Sequence, residues 1–388
     1  MIPQFFGRLQ TISRPPLFAA AVLLGACGAP DAGDRTGQGP VEYVARPLMT
    51  SDSSAELSYA GLIAVDARGS TYVADEGVIL VFGTDGTVQR RIGREGDGPG
   101  EFRSFNSIDL LPGDSLFVFD GQQQRATVFL PYTADVAYTV RLRQPGFVFA
   151  MGIRPIRGTQ GFIGLYRTAV GDVRGTDLVR RDVIRVLNPD GSVRRDSVLT
   201  LREPELAELD GPGGHGYFWP PFARRGLVAF GPDGRIYSAW SDTARIDIHD
   251  VNGRAAGTIR PKVDARALPL PEQVVDSFAA LMAPDPQPRG PALQALRRWS
   301  TWPVLESMLV DDQSRVWLKL RTEDAAPGTW MAFRETGERV GSVRLPPNAH
   351  PRLIRGDRVY AALLNEVDVP TLVVYQLVPS APAAGGAS

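Results

Sequence analysis

Metal-assisted or nucleophilic catalysis needs ligands or a nucleophile at recognisable spacing, and this 388-residue chain offers few such groups. Its three histidines, His215, His249 and His350, lie far outside metal-ligand spacing of one another, so no zinc pattern is present. There is no Gly-x-Ser-x-Gly elbow, and the only cysteine, Cys27, sits at the end of an apolar run near the N-terminus. The glycine-rich stretch Ile92 to Phe102 has the composition of a phosphate loop. Such loops deliver the anion to the N-terminus of a following helix, however, and here a strand-like run follows, which excludes nucleotide binding of that kind. A net charge of -1, with arginines and carboxylates interspersed, leaves no basic face for nucleic acid.

The elements around these residues begin with an export pattern. Arg8 and Arg14 precede an apolar stretch from Leu17 to Ala26, about half the roughly 20 residues a membrane-spanning helix requires. The stretch closes with Leu24-Gly25-Ala26-Cys27, which resembles the bacterial lipobox. That resemblance implies a signal peptide over residues 1–27, a lipidated Cys27 as the first mature residue, and attachment to a membrane of the cell envelope. Gly28 after the cysteine, by similarity to enterobacterial sorting rules, favours the outer membrane. A lone cysteine forms no disulfide within the chain, and lipidation explains why an exported protein carries just one. Residues 28–40, poor in large apolar groups, are expected to form a disordered tether, and residues 379–388 a loose tail.

Between these ends one unit recurs: an apolar strand, a Gly or Asp turn, and a second strand rich in β-branched and aromatic residues. Leu62 to Ala74 about Asp66-Ala67-Arg68-Gly69 is one copy, and Leu227 to Trp240 about Pro232-Asp233-Gly234 is another. Further copies run from Ser107 to Phe119, Ile153 to Leu165, Leu309 to Leu318 and Leu353 to Ala362, making six. Second hairpins follow at Asp85-Gly86, Asp190-Gly191, Asn252-Gly253 and Thr336-Gly337, where glycine supplies the positive φ of a tight turn. Gly69, Gly113 and Gly158 are spaced by about 45 residues, the length of a four-stranded propeller blade. The expected fold is all-β, a six-bladed β-propeller over residues 41–378. Its last blade lacks one strand, which Val41 to Ala45 should supply, closing the ring.

A helical insertion at about 268–301 interrupts the pattern between blades four and five. Val274, Val275, Phe278, Leu281 and Met282 fall at helical spacing, Ala292 to Trp299 forms a second amphipathic piece, and the Pro-rich stretch from Pro284 to Pro291 separates them. These helices either cover one face of the ring or form a lid over its channel. The stretch from Gly211 to Trp219 reads either as a flexible recognition surface or as an aromatic plug beneath a blade.

The run Ile92-Gly93-Arg94-Glu95-Gly96-Asp97-Gly98-Pro99-Gly100-Glu101-Phe102 resembles the signature of NHL-repeat and related six-bladed propellers, in which a Gly-Pro-Gly-acid-Phe loop joins successive blades. The chain is also similar, over Val41 to Val378, to six-bladed propeller lipoproteins of Gram-negative bacteria. In such rings the first strand of each blade lines the central channel, which makes Asn106, Arg224, Glu306 and His350 candidates for one channel mouth. Analogy with gluconolactonase-type propellers admits calcium there, because a hard cation takes several oxygen ligands. No other cofactor is implied, and whether any metal binds is open. With no catalytic pattern legible, the expected role is binding of an envelope protein, peptide or glycan, with a calcium-dependent hydrolase or lyase as the alternative.

Overall fold

The structure, a computed structural model, describes residues 39–142, 148–156, 161–170, 179–202, 204–211, 214–282, 286–323 and 326–380. The expected signal peptide, Cys27, nearly all of the tether and residues 381–388 lie outside them. The first element among the described residues is β1 (Val41–Thr50). Blade one is β2 (Leu62–Val65), β3 (Thr71–Asp75), β4 (Val78–Phe82) and β5 (Val88–Ile92), after which β6 (Arg94–Glu95) and β7 (Glu101–Phe102) form a short parallel pair. Blade two is β8 (Phe105–Leu110), β9 (Leu116–Asp120), β10 (Arg125–Phe129) and β11 (Val136–Arg141). Blade three is β12 (Val148–Pro155), β13 (Phe162–Val170), β14 (Val179–Leu187) and β15 (Val193–Thr200), and the hairpin β16 (Ala207–Gly211) and β17 (Gly214–Phe218) follows it. Blade four is β18 (Gly226–Phe230), β19 (Ile236–Trp240), β20 (Ile246–His249) and β21 (Ala255–Ile259), and then come α1 (Glu272–Met282) and α2 (Pro286–Leu296). Blade five is β22 (Leu305–Val310), β23 (Val316–Leu320), β24 (Thr329–Phe333) and β25 (Arg339–Arg344). Blade six has only β26 (Ala349–Arg355), β27 (Arg358–Leu364) and β28 (Pro370–Pro379) from the C-terminal part of the chain.

The missing fourth strand of blade six is β1. It pairs antiparallel with β28, Tyr43 opposite Pro379 and Thr50 opposite Val373, and its first four residues also pair in parallel with β25 of blade five. The N-terminal strand therefore closes the ring, as the short last blade requires, and it bridges two blades in doing so. The C-terminal end differs from the expected tail. Pro379 still belongs to β28, and the Ser380 amide donates to the Glu42 carbonyl at 2.7 Å, because the far end of β1 offers that strand a partner.

Packing follows from the two-residue period of a strand. In β9, Leu116 and Val118 point into the core shared with blade one, while Phe117 and Phe119 point into the core shared with blade three. Middle strands such as β9 and β10 are thus buried on both faces, whereas the outer β5 alternates with solvent and the outer β11 is mostly exposed. Six such inter-blade cores run round the molecule, the last joining blade six to blade one through Met49, Phe82 and Tyr360. Tight turns bring blades into backbone contact. Gly337 has φ +80, and a Cβ there would lie 2.3 Å from the Arg260 carbonyl oxygen, so only glycine fits that approach.

The linker between blades one and two is structural. Arg125 donates to the carbonyls of Asp97 at 2.8 Å and of Gly98 and Glu101 at 2.7 Å each, and Phe102 is fully buried against Phe105 and Phe129. Buried carboxylates hold the approach to the first strands in the same way. Asp75 accepts from the amides of Ser58 and Tyr59, and Asp120 from those of Arg103, Gln122 and Gln123.

The second helix starts earlier than its sequence suggests, since Pro286, Pro288 and Pro291 are all within α2. Pro286 and Pro288 occupy the first turn, where an amide hydrogen has no intrahelical partner to lose. Ala279 of α1 and Ala292 and Leu296 of α2 are fully buried with Phe222, so the helix pair packs on the segment that leads into blade four.

Candidate functional site

Each first strand starts, and each second strand ends, at the same mouth of the channel. At that mouth blades three to six, together with the segment from Leu201 to Gly226, enclose a cleft of about 560 Å³. Size places it among small-molecule sites, which run roughly 300–1,000 Å³. Its walls are stiffened by Pro204, Pro220, Pro221 and Pro303.

Charge distinguishes the cleft. Six cationic side chains line it, Arg167, Arg202, Arg224, Arg225, Lys319 and Arg321, against two carboxylates, Asp182 and Glu306. Both carboxylates are already engaged. Arg167 grips Asp182 through two bonds of 2.8 and 2.9 Å, and Glu306 is shared by Lys319 at 2.9 Å and by Arg321. Arg224 bonds Thr301 and lies 3.5 Å from Asp242. Arg202 stacks on Trp240 at 4.2 Å, and Arg225 reaches the Glu306 carbonyl at 3.2 Å. Neither of the last two has a carboxylate partner among the described residues. Arg321 stacks on Trp302 at 3.9 Å and keeps a buried, unpartnered Nε. The half-exposed Trp219 completes the lining, with the Arg167 guanidinium 5.5 Å from its ring centre.

Insertion helices brace this wall. Glu205 accepts from the Trp299 indole and, at 3.2 Å, from the Arg224 amide, while Phe222 sits edge-on to both Trp299 and Trp302. The helices support one side of the mouth.

Of the four mouth residues expected from sequence, Arg224, Glu306 and His350 line the cleft together and Asn106 does not. The Asn106 amide is spent on its own surroundings, donating to the Met151 carbonyl at 3.2 Å and accepting from the Gly121 amide at 2.9 Å. His350 is held below its ordinary pKa by burial first, then by the charges of Arg352 and Lys319. These residues do not fit calcium. Glu306 already answers two cations, the remaining neighbours are positive, and no cluster of three or more His, Cys, Asp or Glu side chains occurs among the described residues. Trp219, at 48% exposed, is not a plug beneath a blade, and the fully buried Phe222 nearby packs among the insertion helices; the side chains of Tyr217 and Phe218 lie outside the described set.

Attention to the starts of first strands missed Lys319 and Arg321, which stand at and just beyond the end of second strand β23 on one face. Their signal was the alternation Leu318-Lys319-Leu320-Arg321, and Lys319 is one of only two lysines in the chain. Arg167, Arg202 and Trp219 come from blade three and an insertion, which no linear spacing connects to blade five.

A family model described as a 6-bladed β-propeller matches residues 39–142. Among solved structures, a member of the DUF4221 family from Bacteroides vulgatus superposes with a TM-score of 0.53 at 10% identity, covering 89% of this chain and 100% of its own. A putative exported protein from Bacteroides fragilis gives 0.48 at 12% identity over 87% of this chain and 95% of its own. A gluconolactonase from Xanthomonas campestris gives 0.45 at 11% identity over 88% and 99%. No curated protein matches the chain. At 10% identity the likeness to the DUF4221 member is one of fold, and one fold hosts unrelated functions.

Proposed function

We propose that this six-bladed β-propeller is a non-catalytic binding protein of the bacterial envelope, held there by a lipid on Cys27, and that its mouth cleft recognises an anionic protein, peptide or glycan. The observation that carries the reading is the excess of cations in the cleft over carboxylates that are already paired. Arg202 and Arg225 are left to meet a ligand's negative charge, and guanidinium forks suit carboxylates and other oxyanions. The cleft's size and its convergent charged groups fit a site built to hold a ligand.

Charge reversal tests it. The double variant Arg202→Glu with Arg225→Glu should lose retention on a carboxylated matrix that holds the unaltered chain, and retention of the latter should fall as salt screens the cleft. Equal retention of both proteins, with matching thermal melts, would sink the reading.

A further inference from the structure

The lining of the cleft narrows the class of anion. We infer that it takes an acidic saccharide, a run of sugar rings bearing carboxylates, with a ring face stacked on Trp219 and carboxylates met by Arg202 and Arg225. The inference rests on the cleft being an anion site, and it adds the class of molecule that carries the charge.

Three observations point to sugar. First, Trp219 is 48% exposed at the cleft wall, one ring face backed by Arg167 at 5.5 Å. A flat aromatic face open to a cleft can stack on a flat, partly apolar surface, and the C–H face of a pyranose is such a surface. Second, the main chain around the cleft is spent on itself. The amides of Leu201, Glu205, Ser241, Leu305 and Arg321 donate to the carbonyls of Asp182, Arg224, Arg225, Ser241 and Val304, and Arg225 donates its amide to the Ser241 hydroxyl. An extended peptide draws much of its affinity from main-chain hydrogen bonds, and here few partners remain for it. A saccharide needs only side-chain donors for its hydroxyls and carboxylates, and those are what the cleft presents. Third, phosphate sites favour backbone amides at a helix N-terminus, and among the described residues none of α1 or α2 lines the cleft.

Titration calorimetry on the full chain decides the matter, with four probes: a galacturonate tetramer, a neutral galactose tetramer, a tetraglutamate peptide, and ADP. The uronate tetramer should bind at least about tenfold more tightly than each of the others. Trp219→Ala should weaken the uronate by about tenfold while leaving the salt dependence unchanged, and Arg202→Gln should weaken it and flatten the salt dependence. Matching thermal melts show that each variant is folded, and Trp219→Phe, which keeps a stacking face, should restore most of the affinity.

Equal or tighter binding of the peptide or of ADP would overturn the saccharide assignment while leaving an anion site in place. Uronate affinity unmoved by Trp219→Ala would overturn it as well. If no anionic probe binds, the assignment falls together with the cleft's proposed role.

Discussion

At the residue scale, the cleft is a case of positive charge held close by limited neutralisation. Lys319 and Arg321 share one carboxylate, so a further negative group is favoured and a further positive one is not. His350 reports this. Because its pKa is lowered from 6.5 by burial and by Arg352 and Lys319, the unfolded chain takes up that proton first as the pH falls. This residue's contribution to stability is therefore intact above about pH 6.5 and lost as the pH drops through the folded-state value. His350→Gln should make the decline in urea-unfolding stability shallower below pH 6.5, and an identical pH profile in both proteins would refute this account. A bound anion would raise the His350 pKa, so ligand affinity should strengthen on acidification. Glu306, Arg224 and His350 were legible as mouth residues because each opens, or stands just ahead of, a first strand. Asn106 was legible by the same rule, as the second residue of β8, but it does not line the cleft, and its amide is consumed by Met151 and Gly121.

At the element scale, the sequence carried most of the architecture. Turn glycines and strand alternation marked six hairpins, and the unpaired Val41 to Ala45 marked the closing strand. Helix boundaries were harder. Pro-rich sequence ordinarily ends helices, but prolines in a first turn do not, and α2 begins among them. The part played by β1 can be measured. Met49 is 8% exposed in the core between blades six and one, and burial of that kind is worth about 2–5 kcal/mol as Met→Ala. Deleting residues 41–50 should cost more than this in chemical denaturation and should promote self-association through the bare edge of β28, visible by light scattering. A deletion variant that stays monomeric and equally stable would mean the ring does not depend on its closing strand.

At the scale of the whole molecule, the site is assembled from four blades and the segment from Leu201 to Gly226, which explains why no linear motif announced it. Trp219 and Lys319 are separated by a hundred positions in the chain and line one cleft because successive blades pack side by side. Membrane attachment is testable at this scale too: Cys27→Ser should shift the protein from the membrane to the soluble fraction or leave its signal uncleaved, and unchanged retention would count against the anchor. The double pairing of β1 has a mechanical side. Were the proposed lipid on Cys27 to pull on Val41, the load would run along the strand and across the hydrogen bonds to β28 and β25. Those bonds would then be strained together in shear instead of being peeled apart one at a time, which suits the seam of the ring to bearing load.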